Sequence, residues 1–224
     1  VYSQIGQPQK ALEYYEKALP IRQEVGDRSG KATTLDNIGG VYSQIGQPQK
    51  ALEYYEKALP IRQEVGDRSG EATTLNNIGL VYNTIGKPQK ALEYYEKALS
   101  ISQEVESYSV EATTLINIGA VYNTIGQPQK ALEYYEKALP IRQEVGDRSG
   151  KATTLNNIGI VYNTIGKPQK ALEFFEKALP IRQEVGDRSG EATTLNNIGI
   201  VYNTIGQPQK ALEYLQKALP ILQE

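Results

Sequence analysis

Between residues 70 and 85 the apolar positions are Ala72, Leu75, Ile78, Leu80, Val81, Tyr82 and Ile85. Steps of three and four place them in one wide stripe along a helix, and nothing here alternates as a half-buried strand would. The spacing predicts a first helix over roughly 70–85. Gly86 closes it, because glycine adopts the left-handed conformation that ends helices at little steric cost. Pro88 follows at a first turn, where its missing N–H is no loss. A second helix is predicted over roughly 88–105, with Ala91, Leu92, Tyr95, Ala98 and Leu99 on one face. Glu93 and Lys97 stand four apart on the other face, in the favourable order. "GDRSG" at 66–70 then supplies a glycine stop and either Asp67 or Ser69 as the N-cap of a first helix.

The two-helix pattern recurs with a strict period of 40 residues, marked by Gly39, Gly79, Gly119, Gly159 and Gly199 and by alanine from Ala11 to Ala211. Such self-similarity overrides length as a guide to domain count. It predicts one solenoid over 1–224: a partial first repeat at 1–28, then five repeats of about 40 residues, the last ending at 224. The chain opens in mid-motif on "VYSQIG", which predicts a fragment of a longer protein. Proline recurs inside the second helix at Pro20, Pro60, Pro140, Pro180 and Pro220. A helix-interior proline removes a backbone hydrogen bond and costs about 3 kcal/mol, so a bend is expected there. Ser100 takes that place once.

Composition narrows the chemistry. The chain has 39% hydrophobic and 22% charged residues and a net charge of −2, which suits a soluble globular protein. Histidine, cysteine, methionine and tryptophan are absent, which removes disulfides, thiolate metal sites and every Cys/His or Ser/His catalytic arrangement. Glu53 and Glu56 repeat along a polar helix face, the pattern of a solvated surface and not of paired catalytic carboxylates. "GDRSGE" lacks the alternating ligands of a calcium loop, so neither a metal nor another cofactor is expected. No basic stripe is present to bind nucleic acid, and no apolar run has the length of a membrane span. The expected compartment is the cytoplasm, and no enzyme activity is expected.

Leu75-x2-Ile78-Gly79-x2-Tyr82 followed by Ala91-x3-Tyr95 and Ala98 resembles the tetratricopeptide repeat, and the resemblance covers the whole chain. Two departures stand out: Leu75 replaces the usual tryptophan, and the period exceeds the usual length of about 34 residues, without that motif's terminal proline. The long form, with "LNNIG" inside the first helix, is similar to the repeats of kinesin light chain and of spindle-orientation adaptors. It is also similar to arrays in bacterial signalling proteins that carry nucleotide-switch or caspase-like domains. The resemblance implies an all-α, right-handed superhelical solenoid of antiparallel helix pairs whose first helices line a concave face. It also implies a scaffold that binds an extended peptide segment of a partner protein.

By motif position, the groove residues implied are Asn76, Asn77, Leu80 and Asn83 in one repeat, with Asn156, Asn157, Ile160 and Asn163, and Asn196, Asn197, Ile200 and Asn203, in two others. Asn37, Asn117 and Asn123 belong to the same set, as do Ile116 and Ala120. An asparagine amide matches the C=O and N–H of an extended backbone, which explains why helix-disfavouring "NN" pairs persist. The alternative is that Asn77 and its equivalents bond within their own repeats. These positions are neutral, which argues against a clamp for an acidic C-terminus. The third full period reads "ESYSV" in place of "GDRSG", with Ile116 and Ala120 as a candidate apolar pocket and Tyr108 at its rim. The first carries Asp36, Gly40, Ser43 and Gln44, a smaller and more acidic inner face. Leu215, Gln216 and Leu222 replace aromatic, Glu and Arg or Ser residues near the end. Solenoids need polar caps, so a second reading is a structural spacer that self-associates head to tail through uncapped ends.

Overall fold

The computed structural model describes residues 7–222, all helix and short turn; the opening "VYSQIG" lies outside them. Eleven helices are formed among the described residues. They are α1 (Pro8–Glu24), α2 (Arg28–Gln44), α3 (Pro48–Glu64), α4 (Arg68–Thr84), α5 (Pro88–Glu104), α6 (Tyr108–Thr124), α7 (Pro128–Glu144), α8 (Arg148–Thr164), α9 (Pro168–Glu184), α10 (Arg188–Thr204) and α11 (Pro208–Ile221). Even-numbered helices are the first helices of the motif, odd-numbered ones the second. The chain divides into two compact units, one ending at Thr114 and the other beginning at Leu115, so that the division falls within α6. Within the first unit α1 to α4 each pack on the next helix in sequence, as do α7 to α10 within the second. No helix among the described residues is long and apolar enough to cross a membrane.

The first helix starts at Arg68, two residues before the expected boundary, because the cap is Asp67 and not Ser69. The Asp67 carboxylate accepts the Gly70 N–H at 2.9 Å, which satisfies one of the donors a helix start leaves open. Gly66 and Gly86 close their helices with φ of +69° and +72°. The same turn in the third linker uses Glu106, held at φ 52°, a conformation that costs a side-chain-bearing residue energy. The helix-interior prolines do not shorten their helices. Both α3, with Pro60, and α5, with Ser100, span 17 residues.

Each repeat builds two small cores. In one, Ala51 and Tyr55 of α3 meet Ile78 and Val81 of α4. In the other, Ala72 and Leu75 of α4 meet Ala98 and Ile101 of α5. The aromatic ring needs the motif glycine opposite it: a Cβ on Gly79 would lie 2.7 Å from the Tyr95 ring, and one on Gly159 2.6 Å from Phe175. Replacing that glycine would force one helix off the other. Elsewhere on the same helix pair, Tyr82 stacks on Tyr94 at 5.3 Å between ring centroids, with Lys90 and Lys97 over the two rings. The lysine stems cover aromatic surface while their ammonium groups stay in water.

In every linker but the third, a polar staple joins the end of a second helix to the next first helix. Arg62 Nη1 donates to Asp67 Oδ2 at 2.5 Å, and Arg142 and Arg182 repeat the bond with Asp147 and Asp187 at 2.6 and 2.5 Å. The third linker replaces the whole device. Ser102 stands for the arginine, Ser107 for the aspartate and Val110 for the glycine. A Cβ on Gly70 would lie 2.4 Å from Asp67 Oδ2 and 2.8 Å from Arg62 Cδ, so a side chain at that position is compatible only with the staple's removal. Val110 instead packs on the core of Ala72, Leu75, Ala98 and Ile101.

Candidate functional site

The asparagine positions fall into two classes, one turned into the repeat interface and one at its surface. Asn76 and Asn156 are buried, at 7% and 4% exposed. The Thr114 hydroxyl donates to Asn76 Oδ1 at 3.2 Å, and Asn156 Oδ1 accepts from the Thr194 hydroxyl at 3.4 Å and from Asn197 Nδ2 at 3.1 Å. These amides hold neighbouring first helices together. Asn77, Asn117, Asn157 and Asn197 are half-buried, as are Asn83, Asn123, Asn163 and Asn196, and Asn37 and Asn203 are exposed.

Leu80 and Ile200 are exposed apolar side chains on the same helices, at 44% and 52%. Ile160 is half-buried against the core of Ala171, Phe175, Ile198 and Val201. Ile116 is half-buried against Ala131, Tyr135, Ile158 and Val161, and Ala120 is half-buried as well. Tyr108 is exposed in the first unit. Thr84, Thr164 and Thr204 donate their hydroxyl hydrogens to the carbonyls of Leu80, Ile160 and Ile200, which leaves them only acceptors for a ligand.

In the first full repeat the buried amide is replaced by a carboxylate. Asp36 Oδ2 accepts from Arg62 Nη2 at 2.9 Å and from Nε at 3.3 Å, and Oδ1 accepts from the Thr74 hydroxyl at 2.9 Å. Burial pushes the Asp36 carboxyl above its ordinary 3.8; the hydrogen bonds from Arg62 and Thr74 oppose this without cancelling it. Arg62 Nη2 also donates to the Thr33 hydroxyl at 3.1 Å. Beside this cluster lies a cavity of about 490 Å³ lined by Asp36, Asn37, Gly40, Tyr55, Asn77 and Leu80, among others. Sequence reasoning marked Asp36 and Gly40 as departures but missed Arg62. Its helix pattern reads as solvent-facing, and its partner lies 26 residues earlier in the chain. The available signal was the joint change of arginine, aspartate and glycine to Ser102, Ser107 and Val110.

Antiparallel helix pairs with glycine against an aromatic ring, repeated at a fixed period, define a helical-repeat solenoid of the kind that presents surfaces to other proteins. The family model described as "Tetratricopeptide repeat" matches residues 1–64, 46–104, 70–144, 110–184 and 151–224, and the chain belongs to the tetratricopeptide repeat family. No curated protein matches the sequence. Among solved structures it is similar to BtubC (BKLC) from P. vanneervenii, at 26% identity and a TM-score of 0.82, covering 96% of this chain and 89% of that one. It is also similar to a putative kinesin light chain with nearly identical TPR-like repeats from Podosopora anserina, at 20% identity and a TM-score of 0.68, over 85% and 94% of the two chains. Aspartyl phosphate phosphatase F from Bacillus subtilis shares the fold at 17% identity and a TM-score of 0.75, over 98% of this chain and 68% of that one. Repeats of this family generally mediate protein–protein interaction, and the fold is generally a non-catalytic scaffold.

Proposed function

We propose that this chain holds an extended peptide segment of a protein partner along the face carried by its first helices. The observation that carries the reading is the recurrence of half-buried Asn77, Asn157 and Asn197, with Leu80 and Ile200 exposed on the same helices. Asn197 spends one N–H on Asn156, which leaves its Oδ1 and second N–H for a ligand's backbone. Asn83, Asn123, Asn163 and Asn203, one helical turn and a half further along, would extend the polar track. Asn76 and Asn156 serve it indirectly by fixing the spacing of the helices.

The test is a displayed library of unstructured peptides screened against the parent and against a variant with Asn77, Asn157 and Asn197 changed to alanine. Circular dichroism checks that both are helical. Peptides that bind the parent and are lost from the variant support the clamp; equal binding to both overturns it.

Self-association is the second reading, favoured by Leu212, Leu215, Leu219 and Leu222, all exposed on or beside α11. It predicts that the mass measured by light scattering rises with protein concentration and that Leu212→Lys with Leu219→Lys abolishes the rise. A concentration-independent monomer mass removes this reading.

A further inference from the structure

The first full repeat differs from the next at several first-helix positions, among them Asp36, Gly40, Ser43 and Gln44, and all four line one cavity. Asp36 stands where Asn76, Asn156 and Asn196 stand, and Gly40 where Leu80, Ile160 and Ile200 stand. Pairing with Arg62 accounts for the first change. Arg182, whose repeat carries Asn156, has a buried Nε without a hydrogen-bond partner, whereas Arg62 Nε reaches Asp36. That pairing does not account for Gly40.

The glycine opens a space that its neighbours fill. In the Leu80 repeat the Tyr95 hydroxyl is buried without a hydrogen-bond partner. Its counterpart Tyr55 lines the cavity of about 490 Å³, and a Cβ on Gly40 would stand 3.7 Å from the Tyr55 hydroxyl oxygen. Removing one side chain therefore leaves a hydroxyl and a carboxylate lining the same open cavity.

Its electrostatics select what enters. Arg62 bonds to both Asp36 and Asp67, so one guanidinium is set against two carboxylates and a single negative charge is in excess. Asp36 Oδ2 takes both Arg62 contacts, while Oδ1 accepts only from Thr74 and keeps a lone pair. Arg62 has already committed Nε, Nη1 and both hydrogens of Nη2 to Asp36, Asp67 and Thr33. An entering anion would meet the excess negative charge with little left to donate to it; an entering cation would meet an open acceptor. The amides of Asn37 and Asn77 flank the cavity and suit the peptide backbone on either side of that residue.

We propose that the Gly40 cavity is a subsite for a basic side chain, lysine or arginine, of the peptide bound along the first helices, an inference that rests on the peptide-binding reading above. Two substitutions test it, each borrowed from a neighbouring repeat so that folding is preserved: Gly40→Leu and Asp36→Asn. The same displayed peptide library is screened against the parent, both variants and the triple asparagine variant. The expected result is that peptides selected by the parent share a lysine or arginine, and that Gly40→Leu or Asp36→Asn weakens them roughly tenfold, the loss of one charge-assisted hydrogen bond. Versions of those peptides with alanine at the basic position should bind the parent and both variants alike. Peptides that need the three asparagines but share no basic residue, or that bind both variants as tightly as the parent, overturn the subsite and leave the groove standing. A parent that selects no peptide overturns both.

Discussion

At the scale of single residues, the near-identity of the repeats provides internal controls. The Tyr95 hydroxyl is buried without a partner, and Phe175 occupies the equivalent place in another repeat. Tyr95→Phe should therefore raise stability by about 1 kcal/mol, measured by denaturant unfolding. Burial also raises the Tyr95 phenol well above its ordinary 10, and that of Tyr135 to about 12. The folded state then keeps protons that the unfolded state loses above pH 10, so stability declines as pH rises past that value. Tyr135→Phe should reduce this alkaline decline; an unchanged pH profile would contradict the assignment. Gly159→Ala places a methyl against the Phe175 ring and should cost about 1–3 kcal/mol. Gly199→Ala should cost less, because it faces Leu215 with its nearest atom at 3.0 Å. Glu106→Gly relieves a left-handed side-chain-bearing residue and should stabilise by about 1 kcal/mol.

At the scale of the element, the linker is a unit of three residues. Asp147 caps α8 through the Gly150 N–H at 2.8 Å and pairs with Arg142, and only a glycine leaves room for both. Asp147→Ala should cost about 1–2 kcal/mol, the loss of the cap and of the ion pair together. With both variants followed by denaturant unfolding, Ser107→Ala should cost less, because Ser102 bonds its own helix at Leu99 and has no charge to leave behind. Equal losses at the two linkers would mean that the staple contributes nothing beyond the cap. The exchange of Arg, Asp and Gly for Ser102, Ser107 and Val110 exchanges a polar joint for an apolar one.

At the scale of the molecule, stability resides in a series of small cores between helices close in sequence, as expected for stacked repeats. Protection should follow how many faces of a helix are covered. Only Ala11 and Leu12 of α1, and Ala211 and Ala218 of α11, are buried, against five residues of α3. Hydrogen exchange followed by mass spectrometry should find α1 and α11 exchanging faster than α3 and α9; uniform protection would contradict this local picture. In the proposed peptide-binding reading, the near-balance of charge along the chain leaves recognition to the shape and hydrogen bonding of the first helices, with Asp36 as the local exception.

The helices, their order and the repeat were determined by the sequence itself, because apolar steps of three and four, a glycine stop and a proline start are local signals read from residues a few positions apart. So was the chance that Asn77 and its equivalents recur on one face, since a strict period carries a residue to the same place in every copy. Which side of that face each amide serves was decided only by tertiary packing. Asn76 and Asn77 are adjacent and chemically identical, yet one is buried between first helices and the other is half-exposed, because a helix turns about 100° from one residue to the next. The burial of Arg62 and its pairing with Asp36 were likewise beyond the pattern of either helix, since the two groups meet only when the end of α3 packs against α2.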